Sequence, residues 1–253
     1  MDFVSDLLTD PATPRLTTYS PHGRMELSGQ TLSNWQAKVA NLLTSIGAQP
    51  GDVVLISAPA SWQPAVIALG AWKIGCSIAS SFEELTQVLE VASSSTDAPL
   101  SPAGRLIAVF TDDPALADSE EAADAEEVYL LSDDPFGRGV EESGGDVPFG
   151  INDFSPELRV QPDAFMGLEI PEEASNRHLV TGDLTAEEYL VRAREQWGDE
   201  YPRAAISPWA DAQGLAAALE PLAVGGSTVM IAADAVSDLE KVLATENVTA
   251  KRL

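Results

Sequence analysis

The sequence predicts an α/β fold of mainly parallel sheets flanked by helices. Two observations carry this. Apolar runs with helical spacing alternate with short continuous β-branched or aliphatic runs over residues 31–110. The strand candidates are apolar without interruption, as strands covered on both faces of a parallel sheet are, rather than alternating apolar and polar. The crossovers such an order requires are right-handed βαβ units.

Taken in order, Leu32, Trp35, Val39, Leu42, Leu43 and Ile46 mark one apolar face of a helix over Thr31–Ile46, with Ser28 leading in and Gly47 closing it. Pro50-Gly51-Asp52 turns the chain into a strand at Val53–Ile56. Trp62–Ile74 reads as an apolar helix ended by Gly75, followed by a strand at Cys76–Ala79, a helix at Glu83–Ala92 and a strand at Leu106–Phe110. Acidic pairs then dominate Thr111–Asp146 around one strand candidate, Val128–Leu131. Their spacing does not match the alternating ligands of an EF-hand, so they read as solvated helix and loop.

Residues 148–171 hold four prolines and few periodic apolar positions, which predicts an extended connector. Beyond it come a strand at His178–Thr181, a helix at Thr185–Trp197 with Glu187 and Glu188 at its positive end, and a strand at Ala204–Ser207. A helix at Gly214–Val224, a strand at Ser227–Ala232, a helix at Ser237–Thr245 and a strand at Val248–Ala250 complete the chain. The expected organisation is one domain, 1–253, with two α/β lobes at 1–147 and 172–253 joined by the connector 148–171.

At 253 residues the chain is long enough to bury a large core without disulfides or metals. Forty acidic against 14 basic residues give a net charge of −26. Such a surface repels phosphate backbones and anionic lipid, so nucleic acid and membrane are not expected partners. A single cysteine, Cys76, among apolar neighbours fits a buried thiol in a reducing compartment. With no basic or apolar leader in Met1–Asp6 and no apolar run of spanning length, the expected location is the cytoplasm.

Sites with chemistry of their own are scarce. Two histidines, His22 and His178, and one cysteine fall short of any metal-ligand spacing, so no metal site is expected. There is no G-x-S-x-G elbow, and Gly137-Arg138-Gly139 lacks the third glycine and the strand–turn–helix frame of a dinucleotide fingerprint. No catalytic residue and no cofactor are assigned.

Two blocks nevertheless carry a resemblance. The first runs from Leu27-Ser28 through Trp35, Asn41-Leu42-Leu43, Gly47 and Pro50–Val54 to Ala71-Trp72-Lys73-Ile74-Gly75-Cys76-Ser77-Ile78. The second is Ala205–Leu215, continuing through Pro221-Leu222-Ala223 to Gly225–Val229. In order and spacing they resemble the N-terminal domain of the adenylate-forming, AMP-binding superfamily of acyl-CoA synthetases, in shortened form. The resemblance is weak between Thr111 and Pro171. It implies an acyl pocket near Trp209, Asp211 and Gly214, with Trp209 in the family's aromatic place and Ala210 or Asp211 where the family has histidine.

What the resemblance implies about catalysis is negative. Joining a carboxylate to a triphosphate requires backbone N–H groups, hydroxyls, a lysine and magnesium to neutralise charge. The family supplies these through a Ser/Thr/Gly-rich loop ending in lysine. The corresponding interval, Asn176–Thr185, has one glycine and no lysine, which makes Thr181, Gly182 and Asp183 a degenerate phosphate-loop region. Thr181-Gly182-Asp183 also resembles the family's ribose-binding triplet, but precedes the aromatic loop instead of following it; a glycine turn with an Asp helix cap accounts for it. The family's adenine-binding segment, ribose aspartate and catalytic lysine have no counterpart within these residues, and Lys38, Lys73, Lys241 and Lys251 are not placed to substitute.

The expectation is therefore a non-catalytic relative of the acyl-CoA synthetases that binds a small acyl or adenine-nucleotide-type ligand. Were it active, the family implies an AMP-forming acid–thiol ligase. The alternatives are a subunit of a split ligase completed in trans by a partner chain, and a homodimeric interaction or regulatory protein.

Overall fold

The computed structural model describes residues 2, 4–86, 104–168, 178–180, 184–198, 201–232 and 234–253. Much of the expected helix 83–92, and Thr181, Gly182 and Asp183, lie outside the described residues.

Twelve strands form two sheets among these residues. In chain order they are β1 (Pro14–Ser20), β2 (Gly23–Ser28), β3 (Val53–Ser57), β4 (Ser77–Ala79), β5 (Leu106–Thr111), β6 (Glu127–Leu130), β7 (Asn152–Asp153), β8 (His178–Val180), β9 (Leu184–Thr185), β10 (Arg203–Ile206), β11 (Ser227–Ile231) and β12 (Ala250–Arg252). One sheet has the order β12-β10-β11-β1-β2 and the other β7-β6-β5-β3-β4-β8-β9. Pairing is parallel except for β1 with β2 and β8 with β9. The predicted class, α/β with mainly parallel sheets, is the observed one.

The helices are α1 (Gly29–Ser45), α2 (Trp62–Lys73), α3 (Pro114–Ala117), α4 (Phe154–Arg159), α5 (Ala186–Trp197), α6 (Ala212–Ala223) and α7 (Leu239–Thr245). Local chemistry sets their starts. The Ser28 hydroxyl accepts the Thr31 N–H at 3.2 Å to begin α1. Thr185 and Glu188 form a capping box at α5, with the Thr185 N–H donating to Glu188 at 2.9 Å and the Glu188 N–H to Thr185 at 3.2 Å.

The strand runs are continuous because both faces are covered. On β3, Val54 and Ile56 face a core shared with α1, α2 and α6, whereas Val53 and Leu55 face a second cluster with Leu106, Val109, Val128 and Leu130. Helix α2 is buried from Trp62 to Trp72, which is why its sequence is apolar all round. It crosses α1 at Gly70, where an added Cβ would lie 2.5 Å from the Val39 Cβ. Alanine normally favours a helix over glycine by about 1 kcal/mol. Here the clash reverses the sign, and Gly70→Ala is expected to destabilise the chain by about 1–3 kcal/mol in thermal or urea unfolding.

Three features differ from the sequence reading. An antiparallel hairpin, β1–β2, precedes α1, with Ser20 paired to Gly23 across a Pro21-His22 loop. The expected connector 148–171 is not extended throughout, since it contains β7 and α4. Nor do the strands divide into lobes at 1–147 and 172–253. Leu16 pairs with Thr228 and Ile78 with Val180, so each sheet draws strands from both sides of the connector.

Candidate functional site

A cleft of about 320 Å³ opens where the carboxyl ends of both sheets meet. One wall is Ile56–Pro59 at the end of β3, Ala79-Ser80 at the end of β4, and Asp112 just beyond β5. The other is the loop leaving β10, Trp209-Ala210-Asp211, with Ala212 and Leu215 of α6. Ligands of open parallel sheets gather at such strand ends because the connecting loops diverge there.

Of the residues expected from the sequence, Trp209 and Asp211 line this cleft and Gly214 does not. Gly214 lies beneath them: a Cβ there would sit 3.0 Å from the Trp209 Cβ, so its bare backbone lets the loop close onto the helix. Trp209 is half-buried and packs against the apolar side chains of both the main core and the cluster of Ala204, Ile206 and Ala218. Asp211 is the N-cap of α6, its Oδ1 accepting the Gly214 N–H at 2.6 Å.

The sequence reading missed Asp112, Ser57 and Ser80. Asp112 belongs to an acidic stretch read as solvated surface, yet only its neighbourhood to β3 and β4 in the sheet brings it to the cleft. Its position one residue past a buried strand was the available signal. Partial burial raises its pKa above the ordinary carboxylate value, and the like charges of Asp113 and Asp133 add to the effect. Asp133 in turn lies 3.6 Å from His22 in the β1–β2 loop.

A second cleft, of about 620 Å³, is larger and includes Tyr19, Arg24, Arg203 and Glu246. Its charges answer one another: Glu246 accepts from Tyr19 at 2.6 Å and Arg24 at 2.8 Å, and is paired with Arg203. Such a network ties elements together and leaves little for a ligand to compensate. The first cleft, whose Asp112 and Asp211 have no ion-pair partner among the described residues, is the better candidate.

Among the described residues, no group of three or more His, Cys, Asp or Glu side chains is placed to hold a metal. No described helix is long and apolar enough to cross a membrane. Cys76 is buried and its thiol pKa is pushed far up by desolvation, with Asp52 adding, so it is no nucleophile.

Comparison with solved structures finds this fold in an acyl-CoA synthetase and in an anthranilate CoA ligase. The chain superposes on a Brucella canis acyl-CoA synthetase with a TM-score of 0.70 at 18% identity, covering 99% of this chain and 47% of that one. It superposes on the anthranilate CoA ligase AuaEII, solved with anthranoyl-AMP, with a TM-score of 0.62 at 16% identity, covering 97% and 46% respectively. The chain thus spans about half the length of the solved structures it matches, and at these identities the likeness shows the fold. No family model matches the sequence. A TIGR03089 family protein of Mycobacterium tuberculosis (strain ATCC 25618 / H37Rv) is 34% identical over 254 residues, 96% of this chain and 93% of that protein. The chain belongs to the TIGR03089 protein family.

Proposed function

We propose that this protein is a non-catalytic relative of the adenylate-forming acyl-CoA synthetases which binds a small organic ligand of acyl or nucleoside type in the cleft between Trp209 and the ends of β3 and β4. One observation carries the reading. The cleft has an aromatic wall, two hydroxyls and two carboxylates, but none of its described lining residues is lysine or arginine. An adenylating site has to neutralise a triphosphate and a carboxylate together, and carboxylate walls do the reverse.

The placement of the lysines supports the same reading. Lys38 pairs with Asp163 at 3.1 Å, Lys73 with Asp2 and Lys251 with Glu240 at 3.5 Å, and neither these nor Lys241 lines the cleft. The degenerate interval at Thr181, Gly182 and Asp183 is consistent with a lost phosphate loop.

Two measurements test this together. The purified chain is expected to catalyse no carboxylate-dependent exchange of pyrophosphate into ATP with acetate, benzoate or a medium-chain fatty acid; exchange above background would sink the non-catalytic reading. A thermal-shift screen of AMP, coenzyme A, acyl-CoAs and free acids is expected to find a ligand. At 100 times its dissociation constant it should stabilise by about 2.7 kcal/mol, which for a chain of this size is roughly 5–10 °C.

A further inference from the structure

Behind the Trp209 wall of the cleft stands a buried acid with three partners. Glu220, about one turn before the end of α6, has a side chain only 1% exposed. Its Oε1 accepts the Arg192 Nε–H at 2.6 Å and its Oε2 accepts the indole N–H of Trp197 at 3.0 Å, both from α5. The Arg252 guanidinium of β12 lies 3.6 Å from Oε2. Apolar side chains of the same volume often serve stability as well as a buried ion pair does, so net stability is a poor reason to keep such a hub, and a fixed arrangement of its partners is a better one.

What the hub arranges bears on the cleft. Ala204 and Ile206 of β10 and Ala218 of α6 form a small buried cluster, and three partly buried residues pack against it: Trp197, Ala250 and Trp209. Glu220 holds two of the three, Trp197 directly and Ala250 through Arg252 of the same strand. The third, Trp209, also lines the cleft. The methyl groups of Ala204, Ala218 and Ala250 give the two indole rings a floor but no slot, so where one ring rests depends on where the other is held. A second connection runs through the backbone. The Arg252 carbonyl accepts the Ser207 N–H at 3.1 Å, at the root of the loop that carries Trp209.

We infer that Glu220 is a positioning residue of the cleft: by holding Trp197 and β12 from behind, it sets where the Trp209 ring stands and so the shape of the wall a ligand meets. The inference rests on the reading of the cleft as a ligand site and adds a point of control outside it, since none of Glu220, Trp197 and Arg252 is among the lining residues. Coupling of this kind is reciprocal, so a ligand that presses on Trp209 is felt at Trp197.

The test follows the indole N–H resonances of the full chain, from Trp35, Trp62, Trp72, Trp197 and Trp209, with benzoate, octanoate and AMP as probes. Glu220→Gln keeps the size of the side chain and removes its charge. Trp197→Phe and Arg252→Ala each remove one donor, so a folding defect in one variant does not hide the answer. Each variant is expected to shift the Trp209 resonance while those of Trp35 and Trp62, whose rings pack at 5.3 Å between α1 and α2, stay in place. A merely structural staple would lower the unfolding midpoint and leave the Trp209 resonance where it is. The probe that moves Trp209 in the wild type should also move Trp197, and should bind roughly three- to tenfold more weakly to the variants. If a probe moves Trp209 in the wild type but the variants leave that resonance or the affinity of the probe unchanged, the inference fails and the reading of the cleft stands. If none of the three probes moves Trp209 in the wild type, the reading of the cleft fails and the inference falls with it.

Discussion

Glu246→Ala is expected to lower stability by about 3–5 kcal/mol, read as a fall in the urea midpoint at unchanged slope. The side chain is 5% exposed and sits just past the end of α7. It accepts the Tyr19 hydroxyl of β1 at 2.6 Å and the Arg24 guanidinium of β2 at 2.8 Å, and pairs with Arg203 of β10. Arg203 is itself largely buried, so removing the carboxylate leaves a guanidinium with its countercharge gone in a place water barely reaches. The effect also depends on pH. Burial alone would raise the Glu246 pKa, but hydrogen bonds from Arg24, Tyr19 and Arg203 outweigh it and bring the value down to about 2. A depressed carboxylate stabilises the fold above its unfolded pKa and loses that contribution as pH falls through the folded value. The gap between wild type and Glu246→Ala should therefore be full above about pH 4.5 and shrink toward pH 2. A gap that stays constant from pH 5 to pH 2 would mean the carboxylate is not charged and paired as described.

That network also shows why the strand order was harder to read than the strands. Val53–Ile56, Leu106–Phe110 and Ser227–Ile231 announce themselves because both of their faces are buried, and a run of aliphatic residues has few other uses. The first hairpin gives no such signal. Arg15-Leu16-Thr17-Thr18-Tyr19 is mixed in polarity, and its partner β2 is an edge strand with alternate positions exposed. Its β-branched residues and the Pro21-His22-Gly23 turn were the clues. Helix α4 was hidden by Pro156, which lies in the first turn, where proline costs little, and by the brevity of the segment. Only the tertiary structure shows that Phe154 is anchored edge-on to Phe110 at 5.4 Å. The candidate site divides in the same way. Trp209 and Asp211 were legible because they share one loop between a clear strand and a clear helix. Asp112 was not, because its place in the cleft depends on β5 lying beside β3 in the sheet, a relation that no local pattern encodes.

Trp72 is the position where a single substitution should separate packing from hydrogen bonding. Its side chain is fully buried at the end of α2, with the ring 5.7 Å from that of Tyr189 on α5 and tilted by 54°. Its indole N–H donates to the Leu179 carbonyl at 2.8 Å, and Leu179 belongs to β8, which joins the sheet through a short register with β4. The central helix thereby holds a strand that has few ladder bonds of its own. Trp72→Ala removes the ring and leaves a cavity, and is expected to cost about 3–5 kcal/mol. Trp72→Phe keeps much of the apolar volume but deletes the donor, stranding a buried carbonyl at a cost of about 1–3 kcal/mol. Both variants should lose hydrogen-exchange protection at the amides of β8 and β9 before any loss in β3 and β5, whose ladders do not depend on Trp72. A Trp72→Phe protein as stable as wild type would show that packing against Tyr189 alone seats β8. One as unstable as Trp72→Ala would show that the bond to Leu179, rather than the volume of the ring, is what fastens this edge of the sheet to α2.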